Sequence, residues 1–206
     1  MDPTFLLSAF VTLFVVIDPV GLAPLFVALT HGEDARHRRA IALRACAVAF
    51  AVLTLFGLAG EAVLGFVGIS MPAFRIAGGI LLFLTALDML FERRSQRRAR
   101  NAEDEEDRPD PSVFPLAIPL IAGPGAIASM ILLTGDGGWE RLAATHVVMA
   151  VVLALVLAFF RAAGLIERAL GRTGILVVTR LLGMLLAALS VQFVLDGLRG
   201  AGIAPA

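Results

Sequence analysis

The chain has 206 residues, 59% of them hydrophobic and 17% charged, with a mean hydropathy of +0.90 and a net charge of zero. So high an apolar share excludes a globular aqueous domain and identifies an integral membrane protein. The 17 basic and 17 acidic side chains cancel, but that zero says nothing about partners, since the charges cluster between apolar runs and the information lies in where each sign is placed. For this membrane chain no nucleic-acid partner is expected.

About 20 residues are needed to cross the hydrocarbon of a bilayer as a helix. At that length the sequence reads as an all-α, polytopic fold with spans at 5–29, 40–60, 70–91, 113–134, 142–162 and 174–198. The start, Met1-Asp2-Pro3-Thr4, has no basic segment, and no small-x-small cleavage site precedes His31, so the first span is expected to be retained. This span is interrupted by Asp18-Pro19-Val20-Gly21-Leu22-Ala23-Pro24. Each proline removes a backbone donor and crowds the carbonyl one turn earlier, and Gly21 loosens the helix further, so the span is expected to break into two half-helices. Backbone freed in this way survives in hydrocarbon only where protein, water or a ligand covers it, which makes the break a candidate binding site.

Beyond the first span, Thr30-His31-Gly32-Glu33 forms a Thr-x-x-Glu pattern suited to capping the next helix, whose first turns carry Arg36, Arg38, Arg39 and Arg44. Cys46, between Ala45 and Ala47, is expected to be a small buried side chain; as the only cysteine it forms no disulfide within the chain. The connection from Ala62 to Met71 contains no arginine, and the third span carries Arg75, Gly78-Gly79 and Asp88. A charged linker over residues 92–112 follows, with Arg93, Arg94, Arg97, Arg98 and Arg100 ahead of Glu103, Asp104, Glu105, Glu106 and Asp107. Two such blocks bury no core, and a solvated tether is expected.

The fourth span, from Phe114-Pro115 through Pro119, holds a second break at Gly123-Pro124-Gly125-Ala126. Trp139 is placed as an interface anchor, and His146, beside Thr145 in an apolar span, as a hydrogen-bonded packing residue. No second histidine stands at ligand spacing, so neither a metal nor another cofactor is expected. Placing both termini outside puts Arg36, Arg38, Arg39, the run from Arg93 to Arg108, Arg161, Arg168 and Arg172 in the cytoplasm, and leaves only Arg141 and Arg199 outside.

A shift of 105 residues superposes Pro19 on Pro124, Arg75 on Arg180, Gly78 on Gly183 and Thr85 on Ser190. The chain then divides into a repeat over 1–91, the linker over 92–112 and a repeat over 113–206. With three spans per half, the second copy enters the membrane inverted, and matched interruptions at equivalent positions of such halves point to a midplane transport site. The segments DPVGLAPLF (Asp18 to Phe26) and PLAIPLIAGPGAI (Pro115 to Ile127), at this chain length and span count, resemble the MarC family of bacterial inner-membrane proteins. The resemblance implies six helical spans in related halves, a place in the bacterial inner membrane and, by analogy with some members, transport of small neutral amino acids such as glycine and alanine.

In that reading the substrate site comprises Asp18, Pro19, Val20, Gly21, Gly123, Pro124, Gly125 and Ala126. The substrate carboxylate would meet free N–H groups at one break, and its ammonium would meet carbonyls or Asp18. A carboxylate at mid-membrane costs about 2.5–3.5 kcal/mol on the insertion scale, so Asp18 needs a helix end, a cation or a proton, the last pointing to coupling with a proton or ion gradient. Arg75, Asp88, Arg180 and Asp196 are candidate gating or structural pairs, with headgroup snorkelling as the plainer role. Gly78-Gly79 and Gly183 suit close helix packing, within the chain or in a homo-oligomer. A non-transporting membrane scaffold is the competing class. An intramembrane hydrolase is disfavoured because no Gly-x-Gly-Asp, Gly-x-Ser-Gly or His-Glu-x-x-His element occurs, and no enzymatic activity is expected. The arginine asymmetry yields a direct test: a reporter fused after Ala206 is expected to read as periplasmic and one inserted at Asn101 as cytoplasmic, and the reverse pattern would invert the topology.

Overall fold

The computed structural model describes residues 2–91, 110–135 and 138–203, and among these there is no β-strand. The charged run expected to act as a tether lies outside the described residues from 92 to 109. Helix α1 (Pro3–Ile17) starts at Asp2, whose Oδ1 accepts the N–H of Thr4 at 2.9 Å, and α2 (Pro19–Leu29) follows after the single residue Asp18. Helices α3 (Ala35–Val67) and α4 (Met71–Leu90) are joined through Gly68, at φ 80°, and by Ser70, which caps α4. Residues Ser112–Ile121 form an irregular proline segment with extended backbone at Phe114 and Ile118, followed by α5 (Pro124–Thr134). A helical stretch over Gly138–Gly200 is broken at Gly171, at φ 59° and ψ 177°, and provides α6 (Gly138–Ile166) and α7 (Arg168–Gly200).

Five stretches are long and apolar enough to cross a membrane: α1 with α2, then α3, α4, α6 and α7. The proline segment and α5, bent by 57°, make up a sixth when counted as one span. The apolar side chains that face outward, such as Leu58, Phe66, Val147 and Leu181, then face lipid.

Three local expectations are corrected. Thr30 does not cap α3. Its buried hydroxyl donates to Phe26 O at 2.6 Å and closes α2, while Asp34 caps α3 through its Oδ1, which accepts the His37 N–H at 2.7 Å. A buried hydroxyl needs an acceptor close by, and the last turn of its own helix supplies one. Pro24 does not break its span either: α2 continues through it to Leu29, and the interruption is confined to Asp18. Some helices also outrun the expected spans. α3 has 33 residues, because the turns bearing Arg36, Arg38 and Arg39 at its start and residues 61–67 at its end stay helical beyond the expected 40–60, whereas α4 stays within its expected span.

One core is shared by both halves, with Leu13 and Ile17 of α1, Leu22 of α2, Leu53 of α3, Leu82 of α4, Met130 of α5, Phe160 of α6 and Leu186 of α7 all buried. Lipid is as apolar as these side chains, so helix association here depends on close packing rather than on exclusion of water. Between α4 and α7 the close packing is made by glycine. A Cβ on Gly79 would lie 2.8 Å from Ser190 O, one on Gly183 would lie 3.0 Å from Met89 Cβ, and one on Gly197 would lie 2.9 Å from Pro72 O. These pairs fix an antiparallel register. The packing role expected for Gly79 and Gly183 is thus met inside the chain, and Gly197 joins them. Replacing Gly79 by Leu forces the two backbones apart and is expected to cost about 1–3 kcal/mol, read as a lower midpoint of thermal unfolding in detergent. An unchanged midpoint would show that the helices are not so tightly apposed.

Candidate functional site

The first interruption is organised by one residue. Asp18 adopts φ 58° and ψ 66°, a left-handed conformation that costs most residues about 1–2 kcal/mol but that Asp and Asn visit. Its N–H donates to Phe14 O at 2.9 Å and closes α1, while its carbonyl accepts the Leu22 N–H at 3.0 Å and opens α2. The side chain completes the cap, with Oδ1 accepting the Gly21 N–H at 3.0 Å. Pro19 follows as the first helical residue, where a missing donor is harmless. Gly21 is required at its position because the carboxylate lies against its Cα: a Cβ there would collide with Oδ2 and stand 2.9 Å from Cγ. Only 1% of Asp18 is exposed, so a carboxylate is enclosed in the protein at the start of a helix, where the dipole favours negative charge.

The second interruption is built differently. Helix α5 begins at Gly123 with Pro124 as its first residue, the same offset as Asp18 and Pro19 at α2, but no side chain caps it. The Ile127 N–H returns to Gly123 O at 3.0 Å. The N–H groups of Gly125 and Ala126 have no hydrogen-bond partner among the described residues. Both residues are buried, Pro124 is exposed and Gly123 is partly so. Gly123 is required by a close approach of the backbone, since a Cβ on it would lie 2.6 Å from Pro119 O. Ser129 Oγ donates to Gly125 O at 2.8 Å within the first turns of the helix.

The fold brings the two interruptions next to each other. A Cβ on Gly125 would lie 3.2 Å from Val16 Cγ1, two residues before Asp18, and 3.4 Å from Leu82 Cδ2 and 3.6 Å from Thr85 Oγ1 on α4. The start of α5 therefore packs on the face of α1 that leads into the first interruption. Thr12 lies one turn before Val16 on that face, is fully buried, and its Oγ1 has no hydrogen-bond partner. Thr85 satisfies its hydroxyl on Leu81 O at 2.9 Å. Sequence reasoning did not single out Thr12, Thr85 or Ser129 as site residues. Thr12 could have been found from its i, i+4 spacing to Val16, but only once Val16 was known to face the second break.

The charged residues stand away from this centre. The contacts of Gly197 with Ile76 and Pro72 set Asp196 at the level of Arg75, and those of Gly183 with Met89 and Ala86 bring Asp88 within a turn of Arg180. Asp196 Oδ1 accepts from Gln192 Nε2 at 2.8 Å and pairs with Arg199 Nη1 at 3.2 Å, both on its own helix. His146 Nδ1 lies 2.8 Å from Leu142 O, and its ring packs on Gly57 of α3. At the far end of α5, Arg141 Nε donates to Leu133 O at 3.0 Å, so that broken helix has its C-terminus covered by a side chain. Among the described residues no group of three His, Cys, Asp or Glu side chains stands close enough to hold a metal ion.

A family model described as MarC family integral membrane protein matches residues 3–202 of the chain. Membrane proteins of the group named UPF0056 are similar over nearly the whole length. One from Archaeoglobus fulgidus is 39% identical over 95% of this chain and 92% of its own. The UPF0056 membrane protein YvbG of Bacillus subtilis is 36% identical over 96% of this chain and 95% of its own. The UPF0056 inner membrane protein YhgN of Escherichia coli is 34% identical over 94% and 96%, respectively. No solved structure matches the chain.

The role of residue 18 can be tested through its two demands, an acceptor on the side chain and a left-handed backbone. Asp18→Asn keeps both and is expected to leave the detergent-solubilised protein nearly as stable as the parent. Asp18→Ala loses a cap worth about 1 kcal/mol and adds about 1–2 kcal/mol of backbone strain, so its unfolding midpoint is expected to fall clearly below that of Asp18→Asn. Equal midpoints would mean that the cap does not hold the interruption together.

Proposed function

The chain belongs to the MarC family of integral membrane proteins, and from this we propose that it is a secondary transporter of small solutes, of glycine or alanine size, which bind between the two interruptions. The observation that carries the reading is the unequal treatment of the two helix starts. α2 has its Gly21 and Leu22 N–H groups met by the carboxylate and carbonyl of Asp18, whereas α5 has no side-chain cap and presents the Gly125 and Ala126 N–H groups to no protein acceptor among the described residues. Two convergent N–H groups at the positive end of a helix suit a carboxylate. The ammonium of the same molecule would be balanced by the enclosed Asp18 carboxylate, with the Thr12 hydroxyl as a further acceptor on the facing helix.

Size selection follows from the walls. A single Cβ added to Gly125 would already lie 3.2 Å from Val16 Cγ1 and 3.4 Å from Leu82 Cδ2, so the space next to the free donors takes a hydrogen or methyl group more readily than a bulky side chain. A closed, buried arrangement of this kind corresponds to an occluded state, opened on one side at a time by movement of one half against the other. The 105-residue correspondence of helix starts and the antiparallel packing of α4 on α7 support halves of inverted topology. Asp18 is the residue assigned to carry the coupled proton. We read the chain as a translocator without enzymatic activity, with both termini outside and, by analogy with the named relatives, a place in the bacterial inner membrane.

Uptake of labelled glycine and alanine into proteoliposomes, with and without a pH gradient, tests this proposal. The parent protein is expected to accumulate at least one of the two in a gradient-dependent way. Gly125→Val is expected to lower uptake at least tenfold while the purified protein stays monodisperse, a loss of about 1.4 kcal/mol or more in binding terms. Asp18→Asn is expected to remove the pH dependence. Unchanged uptake by Gly125→Val would move the site elsewhere, and an absence of uptake for every small amino acid by the parent protein would favour the scaffold reading.

A further inference from the structure

An open cavity of about 430 Å³ lies not at the two interruptions but at the arginine-rich end, between the end of α2, the start of α3 and the α6–α7 connection. Four guanidinium groups line it, from Arg38, Arg39, Arg161 and Arg168, and among the described residues no carboxylate does. Its floor is the face-to-face pair Phe26 and Phe160, with ring centroids 4.3 Å apart and planes 7° from parallel, and Arg38 Cζ lies 5.6 Å from the Phe26 centroid. The acidic groups nearby are engaged elsewhere: Asp34 caps α3, Glu33 lies 3.9 Å from His37, and Asp110 pairs with Arg44. Among the described residues none of the four guanidinium groups has a carboxylate partner.

We infer that this cavity is a binding site for the phosphate headgroup of an anionic phospholipid. Four positive charges around a concave space, with no counter-charge among the described residues, suit an anion, and guanidinium groups match the geometry of phosphate oxygens through paired N–H donors. The apolar surroundings identify the lipid as the source of that phosphate. Val147, Val151, Ala154, Ala158, Arg161 and Leu165 recur at alternating four- and three-residue spacing and are all exposed, so one stripe of α6 runs out of the apolar surface straight to the cavity mouth. An acyl chain lying on that stripe places its headgroup between Arg161 and Arg168. The aromatic floor keeps the guanidinium groups raised toward the headgroup layer, because Phe26 and Phe160 are each only 2% exposed and fill the space below them. Basic pockets between spans on the arginine-rich side are a recurrent setting for such headgroups. The site is independent of transport, since it shares no residue with the two interruptions.

The test uses the full-length protein, stripped of lipid in detergent, with native mass spectrometry reading bound dioleoyl phosphatidylglycerol, dioleoyl phosphatidylcholine or glycerol phosphate. The wild type is expected to bind phosphatidylglycerol more tightly than phosphatidylcholine, and R38Q/R161Q to weaken the former about 10- to 30-fold, at roughly 1 kcal/mol per arginine, while phosphatidylcholine binding is unchanged. If the double variant is not monodisperse, the single variant R168Q serves, with an expected loss of about fivefold. Equal binding of the two lipids by the wild type, or unaltered phosphatidylglycerol binding by a folded variant, overturns the proposal. Glycerol phosphate that binds as tightly as the lipid overturns the lipid as the source and assigns the cavity to soluble phosphate esters.

Discussion

The structure depends on how a chain in hydrocarbon can afford to stop being helical. Every N–H and C=O left without a partner in the bilayer interior costs several kcal/mol, yet this chain interrupts its helices twice within its spans. At the first interruption a single residue, Asp18, answers the requirement from three directions: its N–H closes one helix, its carbonyl opens the next, and its carboxylate caps the start of the second. At the second, the backbone turns through Ala122 and Gly123, the Ala122 N–H reaches back to Ala117 O at 2.8 Å, and the first donors of α5 are left uncapped. The surrounding helices bury Asp18, Gly125 and Ala126, while Pro124 stays exposed.

The pairing of a capped and an uncapped helix start gives the centre of the molecule a polarity that no set of charged side chains provides. Asp196, by contrast, lies near the end of α7 and pairs with Arg199 on its own helix. The central region therefore combines one enclosed carboxylate with helix ends, hydroxyls and glycine. The proposed recognition of a small zwitterion rests on this set.

Close packing is the second constraint. Gly79, Gly183 and Gly197 let α4 and α7 approach so nearly that backbone atoms of one meet the Cα positions of the other, and these two helices belong to opposite halves of the chain. The seam holds them at a precise register. The arginine cavity lies away from this seam, toward one end of α2, α3 and α6, where a bound headgroup would tie those helices to one leaflet.

The sequence alone determined the membrane setting, the all-helical class, six apolar spans when the bent pair is counted as one, and the neighbourhood of the two interruptions. These features rest on composition, apolar run length and the chemistry of proline and glycine, all of which act locally along the chain. The exact helix ends were less legible: Thr30 and Asp34 both suit a cap, and the choice depended on Thr30 being buried against Phe26 O. Only the tertiary structure decided that Val16 meets Gly125, that Thr12 is left with an unpartnered hydroxyl, and that Arg38 and Arg161, 123 positions apart in sequence, line one cavity. Those facts depend on which face of each helix turns toward which neighbour. In lipid that choice is set by steric fit between helices, because apolar faces all look alike to a bilayer and a pattern of hydrophobicity carries no record of their partners.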